Sequence, residues 1–279
     1  MILGHNISNT HLLDYVKVAK ENNAKIFQLF LRSPQNYKII PNKIEDLKQL
    51  CTDAQDSNIK IVVHSSYLIN LCRPSDDYTL QKGIALVIQD LEESVKLKAL
   101  GCIIHMGHNT CNMTYNDAYM TYIKHIKYIL NNSNKQSTLI LETGASCGNE
   151  VSTRLNELGN ILNFLTDDEK KRVKFCIDTC HIFSAGYDLS DPEFVDILDL
   201  YIDNTLGWNN VVVIHLNDSK CHLYAKKDRH ADINTGYINI EGLIHFVKIC
   251  NKHTIPLVLE TPQEKSTYKE QIKYIVDLI

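Results

Sequence analysis

Six apolar runs in this 279-residue chain end on a side chain able to bind a metal. IVVH ends at His64, CIIH at His105, LILE at Glu142, FCID at Asp178, VVVIH at His215 and LVLE at Glu260. A lone histidine beside apolar residues is more often packed than ligating. Six repetitions of residue type and position make that explanation very weak for the set. In FCIDTCHIFSAGYD, Phe175–Asp188, His181 follows Asp178 by three residues. Residues three apart on a strand face opposite sides, so a shared site requires a turn just after Asp178. Gly186 and the Tyr-Asp pair behind it mark that turn. A carboxylate at a strand end with an imidazole on the following loop suits a divalent metal with oxygen and nitrogen ligands. Taken alone, the stretch fits a helix cap and a packed histidine equally well.

The segment KKDRHAD adds Asp228 and His230, which alternate around Arg229, so an extended loop can point both inward. By itself this segment reads more readily as a solvated charge cluster. Five histidines and four carboxylates then exceed what one tetrahedral zinc can use. Two or three metals with a bridging carboxylate fit better. Imidazole and carboxylate without thiolate favour zinc and are compatible with manganese or iron at a position. Cys180, between Asp178 and His181, reads as a packed thiol before it reads as a ligand.

Such residues need a scaffold that brings six strand ends together. Strand-like runs fall at Ile2–Gly4, Lys25–Leu31, Lys60–His64 and Cys102–His105, then at Thr138–Glu142, Val173–Asp178, Val211–His215 and Leu257–Glu260. Between and after them lie amphipathic stretches near Thr10–Glu21, Ile44–Gln55, Leu80–Leu100, Asn116–Leu130, Ser152–Leu165, Pro192–Ile202, Glu241–Cys250 and Thr267–Leu278. Their apolar spacing is helical, with Leu86, Leu91, Val95 and Leu100 on one face. Asp191 followed by Pro192 predicts a capped helix start. Eight alternations predict an α/β fold, a single (β/α)8 TIM barrel over residues 1–279, with function at the C-terminal ends of its strands. A doubly wound sheet usually carries a Gly-rich phosphate loop after an early strand. GHNISNT is not one.

Hydrophobic content of 44% and charged content of 22% are ordinary for a globular protein, and the net charge of −4 gives no support to a generally basic nucleic-acid surface. An anionic partner must therefore be held by a local patch or by metal ions. No run is long enough to span a membrane, and MILGHNISNTHLL lacks the features of a signal peptide. The expected setting is intracellular and soluble, in cytoplasm or nucleus, with nine cysteines as reduced thiols and no membrane partner.

HSSYLINL at His64–Leu71, CIDTCHIFSAGYD at Cys176–Asp188 and HLNDSK at His215–Lys220 resemble the signature segments of the endonuclease IV family. DRH at Asp228–His230 and LET at Leu259–Thr261 follow in that family's order, so the resemblance covers nearly the whole chain. It implies a TIM-barrel, zinc-dependent enzyme of base excision repair, acting as a monomer on duplex DNA that contains abasic sites. The implied reaction cuts the phosphodiester 5′ to the lesion, leaving a 3′-hydroxyl and a 5′-deoxyribose phosphate, with removal of 3′-blocking groups beside it. Three Zn²⁺ per chain are implied. His64, His105 and Glu142 would hold the first; Glu142, Asp178, His215 and Glu260 the second; His181, Asp228 and His230 the third. Glu142 is then the catalytic bridge.

The same resemblance matches Tyr67 and Leu68 to a wedge that keeps the lesion flipped out; ordinary rim packing fits them equally. Gln35 stands where bacterial members usually carry an intercalating arginine, and INTGYI at Ile233–Ile238 stands where a Gly-x-Gly loop is usual. Lys220, Lys226, Lys227 and Arg229 supply positive charge along one groove wall. His5 matches a family histidine without implying a metal role. Two other readings share parts of the pattern: a divalent-metal sugar isomerase on a similar barrel, and a non-catalytic zinc-containing protein that binds damaged DNA. Metal content well below two per chain would favour the first, and failure to incise an abasic duplex the second.

Overall fold

Ile26, Val62, Ile103, Ile140, Cys176, Val213 and Val258 form an apolar cluster of their own, separate from the larger core. They come from seven different strands, and their immediate neighbours, such as Val63, Ile104, Leu141 and Ile177, belong to the larger core instead. Strand alternation with both faces buried produces this division: one set fills a barrel, the other packs under helices. The chain is described here in a computed structural model covering residues 1–8 and 10–279.

The strands are β1 (Leu3–Ile7), β2 (Ile26–Phe30), β3 (Lys60–His64), β4 (Cys102–Ile104), β5 (Leu139–Glu142), β6 (Val173–Asp178) and β7 (Val211–His215), followed by the short β8 (Asp218–Ser219), β9 (His230–Ala231) and β10 (Leu257–Leu259). β1–β7 and β10 close a barrel in the order β1-β10-β7-β6-β5-β4-β3-β2, every neighbour parallel. This is the TIM barrel expected from the alternation. β8 and β9 form a separate antiparallel ribbon.

The helices are α1 (Tyr15–Glu21), α2 (Ile44–Asp56), α3 (Tyr78–Lys96), α4 (Tyr115–Asn132), α5 (Leu155–Asn160), α6 (Asp167–Lys171), α7 (Thr179–Ala185), α8 (Pro192–Thr205), α9 (Ile240–Lys252) and α10 (Tyr268–Asp277). Their apolar faces press on the barrel; Leu86 and Leu91 of α3 are fully buried, each worth roughly 1.5–3 kcal/mol of transfer free energy. Asp191 caps α8 with Pro192 at its first turn, as the sequence predicts. Among the described residues, no helix is long and apolar enough to cross a membrane.

Several expectations change; the first strand, expected at Ile2–Gly4, runs over Leu3–Ile7. The stretch expected to be one helix at Ser152–Leu165 is a short α5 running into a 3-10 turn at Ile161–Phe164. The segment after Asp178 is not a loop but α7, seven residues long, which Gly186 ends at φ 110°, a left-handed conformation that costs glycine little. The turn therefore comes at Asp178 itself. Gly186 closes the helix it starts.

Candidate metal centre

On each barrel strand carrying one of the seven inward apolar residues, the side chain two residues on shares its face. Those partners are Gln28, His64, His105, Glu142, Asp178, His215 and Glu260. The period of two thus sets a ring of polar groups above an apolar plug, at the C-terminal mouth of the barrel. Glu142 lies in its midst. Its Oε2 is 3.2 Å from Nε2 of both His64 and His105, and its Oε1 is 2.9 Å from His215 Nδ1. His215 Nδ1 also lies 3.1 Å from Glu260 Oε2 and 3.8 Å from Asp178 Oδ2. His64, His105 and Glu142 place ligand atoms within 4.8 Å of one another, and so do Glu142, Asp178, His215 and Glu260. One carboxylate belongs to both groups, one oxygen to each.

A third group forms beside them. Asp228 Oδ1 is 3.2 Å from His181 Nε2 and 3.2 Å from His230 Nε2. Asp178, its Oδ2 3.5 Å from His230 Nε2, completes a set with His181 and His230 whose ligand atoms lie within 4.8 Å of one another, whereas Asp228 shares such a set with Cys180 and His230. Asp178 is at once a helix cap and a site residue: Oδ1 accepts the His181 N–H at 2.9 Å, while Oδ2 accepts from Asn217 Nδ2 at 2.7 Å. The two readings its sequence leaves open are not alternatives, because a carboxylate has two oxygens. The β8–β9 ribbon pins His230 opposite Ser219, and Ser184 of α7 bonds the Lys226 N–H and the Lys227 carbonyl, so the Asp228 loop is tied to the helix bearing His181.

The loop Ile233–Ile238 wraps the Asp218 carboxylate, which accepts from the N–H groups of Thr235, Gly236 and Ile238 at 3.1, 2.7 and 3.0 Å. Asn234 takes the left-handed position at φ 63°, a conformation asparagine tolerates better than most. A Cβ on Gly236 would fall 2.2 Å from the Ser219 carbonyl oxygen. Of these two positions, asparagine serves the left-handed one and only Gly236 requires glycine.

The donor chemistry fits metal ions. Nδ1 of His64, His181 and His230 lies at 2.7, 2.7 and 3.3 Å from the carbonyl oxygens of Ser65, Thr143 and Glu260. Donating there leaves the Nε2 lone pairs facing carboxylates, which a cation between them satisfies. Nε2 of His181 and of His230 are buried and, although Asp228 Oδ1 lies 3.2 Å from each, make no well-aligned hydrogen bond, which suits a ligand between them. Cys180 Sγ lies within 4.8 Å of ligand atoms of Asp228 and His230. Burial pushes its thiol up to about 12 in the absence of a metal.

Without metal, protons take the place of ions. Burial pushes His230 down, but Asp178 and Asp228 outweigh it and raise the imidazole to about 9. His181 and His215 are also raised well above the ordinary value, burial being outweighed by anionic neighbours. Groups raised on folding stabilise the fold fully below their unfolded pKa, about 6.5 for histidine, and lose that contribution as pH rises through the folded value. The metal-stripped protein is therefore expected to lose melting temperature between pH 6.5 and about 9 and beyond, while the metal-loaded protein does not. Calorimetry of both forms across that range checks this; a stripped protein with a flat or rising melting temperature contradicts it.

A family model described as xylose isomerase-like TIM barrel matches residues 16–278. The chain is 37% identical over 248 residues to a protein assigned as an endonuclease 4 in Acanthamoeba polyphaga mimivirus, covering 88% of this chain and 80% of that one. The chain belongs to the endonuclease IV family. The crystal structure of endonuclease IV from Thermus thermophilus superposes with a TM-score of 0.81 at 24% identity, over 99% of this chain and 98% of that one. A D-tagatose 3-epimerase-like protein shares the fold at TM-score 0.72 and 15% identity, over 100% and 98% of the chains.

Around the centre of this endonuclease IV family member, Asn6, Tyr67, His105, Glu142, His181, Asp228, His230 and Glu260 line a cleft of about 420 Å³. Tyr67 is 47% exposed at its rim, with its ring 5.5 Å from His105 and edge-on to Phe30 at 5.1 Å; Leu68 is 40% exposed. Gln35, Lys220 and Arg229 are exposed. Lys220 pairs with Glu264 at 2.6 Å, and Arg229 donates to the Asp228 carbonyl at 2.6 Å. His5 stacks on Tyr268 with ring centroids 4.3 Å apart, away from the cleft, and Asn6 lines the cleft instead. Sequence reasoning passes over Asn6, Gln28 and Asn217. The last bonds Asp178 and accepts the Glu260 N–H at 2.9 Å. The available signal is a polar residue two places after a barrel-filling one, as in Ile26–Gln28.

Proposed function

We propose that the chain is a DNA repair endonuclease that hydrolyses the phosphodiester 5′ to an abasic site, leaving a 3′-hydroxyl and a 5′-deoxyribose phosphate. The observation that carries this reading is Glu142 shared between two ligand groups, with Asp228 3.2 Å from both His181 and His230 beside them under one cleft. Three Zn²⁺ are the ions that the family resemblance implies for these imidazole and carboxylate donors. When bound, they supply Lewis acidity and lower the pKa of water to near neutrality. Four carboxylates against three dications leave about two positive charges to receive a phosphate, which offsets the acidic overall balance.

This chain's own residues do the rest. Glu142 sets the spacing of the two groups through its two oxygens. Backbone carbonyls hold His64, His181 and His230 with Nε2 turned inward. The Ser65 carbonyl is itself steadied, because the Ser65 hydroxyl donates to buried Asp90 at 2.6 Å, and Asp90 pairs with Arg32. Tyr67 and Leu68, exposed at the cleft rim, fill the gap left in the base stack by a flipped abasic nucleotide. Gln35, uncharged and exposed, leaves more of that filling to them than an arginine would. The third group argues against a sugar isomerase, since it adds two imidazoles and a carboxylate that such a reaction leaves unused.

The test is incision of a duplex carrying one abasic analogue. Cleavage with a 3′-hydroxyl end, abolished by chelator and restored by zinc, is expected. No cleavage by the zinc-loaded protein would leave the non-catalytic reading. In the same system, Tyr67→Ala with Leu68→Ala is expected to weaken binding to abasic duplex far more than to undamaged duplex. Equal losses for both would make these residues rim packing.

A further inference from the structure

Gln28 sits in the middle of an apolar strand, IFQLF, with 0% exposure. An uncommitted amide there would be strongly unfavourable, because burial strips its water without replacing the hydrogen bonds. It is fully used. Its Nε2 donates to Glu260 Oε1 at 2.6 Å, and its Oε1 lies 2.8 Å from His215 Nε2. A carboxylate only accepts hydrogen bonds, so the amide nitrogen must face Glu260. The amide oxygen then faces His215, and Nε2 of that imidazole must carry a proton to satisfy it. The proton leaves Nδ1 as the coordinating atom, the atom directed at Glu142, Asp178 and Glu260. His64, His181 and His230 are held in the opposite sense, with Nδ1 on a backbone carbonyl and Nε2 inward. No backbone carbonyl takes this part for His215 among the described residues; a side chain from a strand on the other side of β1 and β10 does.

We infer that Gln28 is a positioning residue that sets the tautomer of His215 and the rotation of Glu260, and so shapes the group containing Glu142, Asp178, His215 and Glu260. The inference rests on the metal-centred reading of the site, but its test does not depend on DNA cleavage. In zinc-loaded, ¹⁵N-labelled wild type, long-range ¹H–¹⁵N spectra are expected to show His215 protonated at Nε2. A proton on Nδ1 overturns the inference, whatever the variants do. Gln28→Met removes both bonds, and Gln28→Glu keeps the acceptor for His215 while losing the donor to Glu260. Gln28→Glu is therefore expected to retain the Nε2–H tautomer, whereas Gln28→Met loses its uniformity. Both are expected to release one zinc per chain to a competing chelator about 10- to 100-fold more readily, the usual range for such supporting contacts. Unchanged tautomer and unchanged zinc affinity in Gln28→Met overturn it. A wild type that holds zinc with His215 protonated at Nε2, yet fails to cut abasic DNA, upholds this inference and sinks the nuclease reading alone.

Discussion

Replacing Glu142 with glutamine is expected to lower abasic-site incision by about 10³-fold or more, in line with the several kcal/mol that metal-borne charge stabilisation contributes. Glu142 is buried, and its two oxygens face separate imidazole sets at 3.2 and 2.9 Å. An amide presents one oxygen and one N–H group, so it cannot serve both sets. Burial pushes the Glu142 carboxyl up, but His215 and His105 outweigh it and hold it well below the usual carboxylate range. The group is therefore charged throughout the neutral range, and the glutamine variant removes a full negative charge. Packing changes little, because the side chains are nearly isosteric, and the near-ultraviolet circular dichroism is expected to persist. Near wild-type turnover with full metal content would take Glu142 out of the mechanism.

The second large effect concerns the group outside the strand ends. His181→Ala, Asp228→Asn and His230→Ala are each expected to lower zinc content from three towards two per chain and to slow cleavage roughly 10²-fold or more, as loss of an electrostatic stabiliser does. Asp228 Oδ1 stands 3.2 Å from each imidazole, so removing any one leaves two ligands facing a gap. DNA affinity should fall less, because the exposed Lys226, Lys227 and Arg229 on the same loop remain. Metal analysis alongside single-turnover cleavage separates these effects. Unaltered zinc content in all three variants would show that this loop holds no ion. Wild-type content well below two per chain would instead revive the isomerase reading.

Much of this centre is legible in one dimension because a strand has a period of two. An apolar residue that fills the barrel predicts that the residue two places on points the same way, and at His64, His105, Glu142, Asp178, His215 and Glu260 that residue is a metal ligand by type. The same rule reaches Gln28, but an amide is not an obvious ligand, so its position reads as strand interior. Asn6 escapes because the run that predicts the first strand stops at Gly4, whereas β1 continues to Ile7. The family's segments likewise identify the chain without coordinates, since they are contiguous.

The order of residues therefore dictates the barrel, the family and the inward set of strand-end groups. Which of those groups meet is settled only when the barrel closes. That one Glu142 oxygen faces His64 and His105 while the other faces His215 depends on strands far apart in sequence joining one ring. That Asp178 both caps α7 and faces His230 depends on the chain turning into a helix at once. That His215 offers Nδ1 where the other four histidines of the centre offer Nε2 depends on an amide 187 residues away. Periodicity tells which way a side chain points, and a hydrogen bond needs a partner at about 3 Å; only the closed fold supplies the partner.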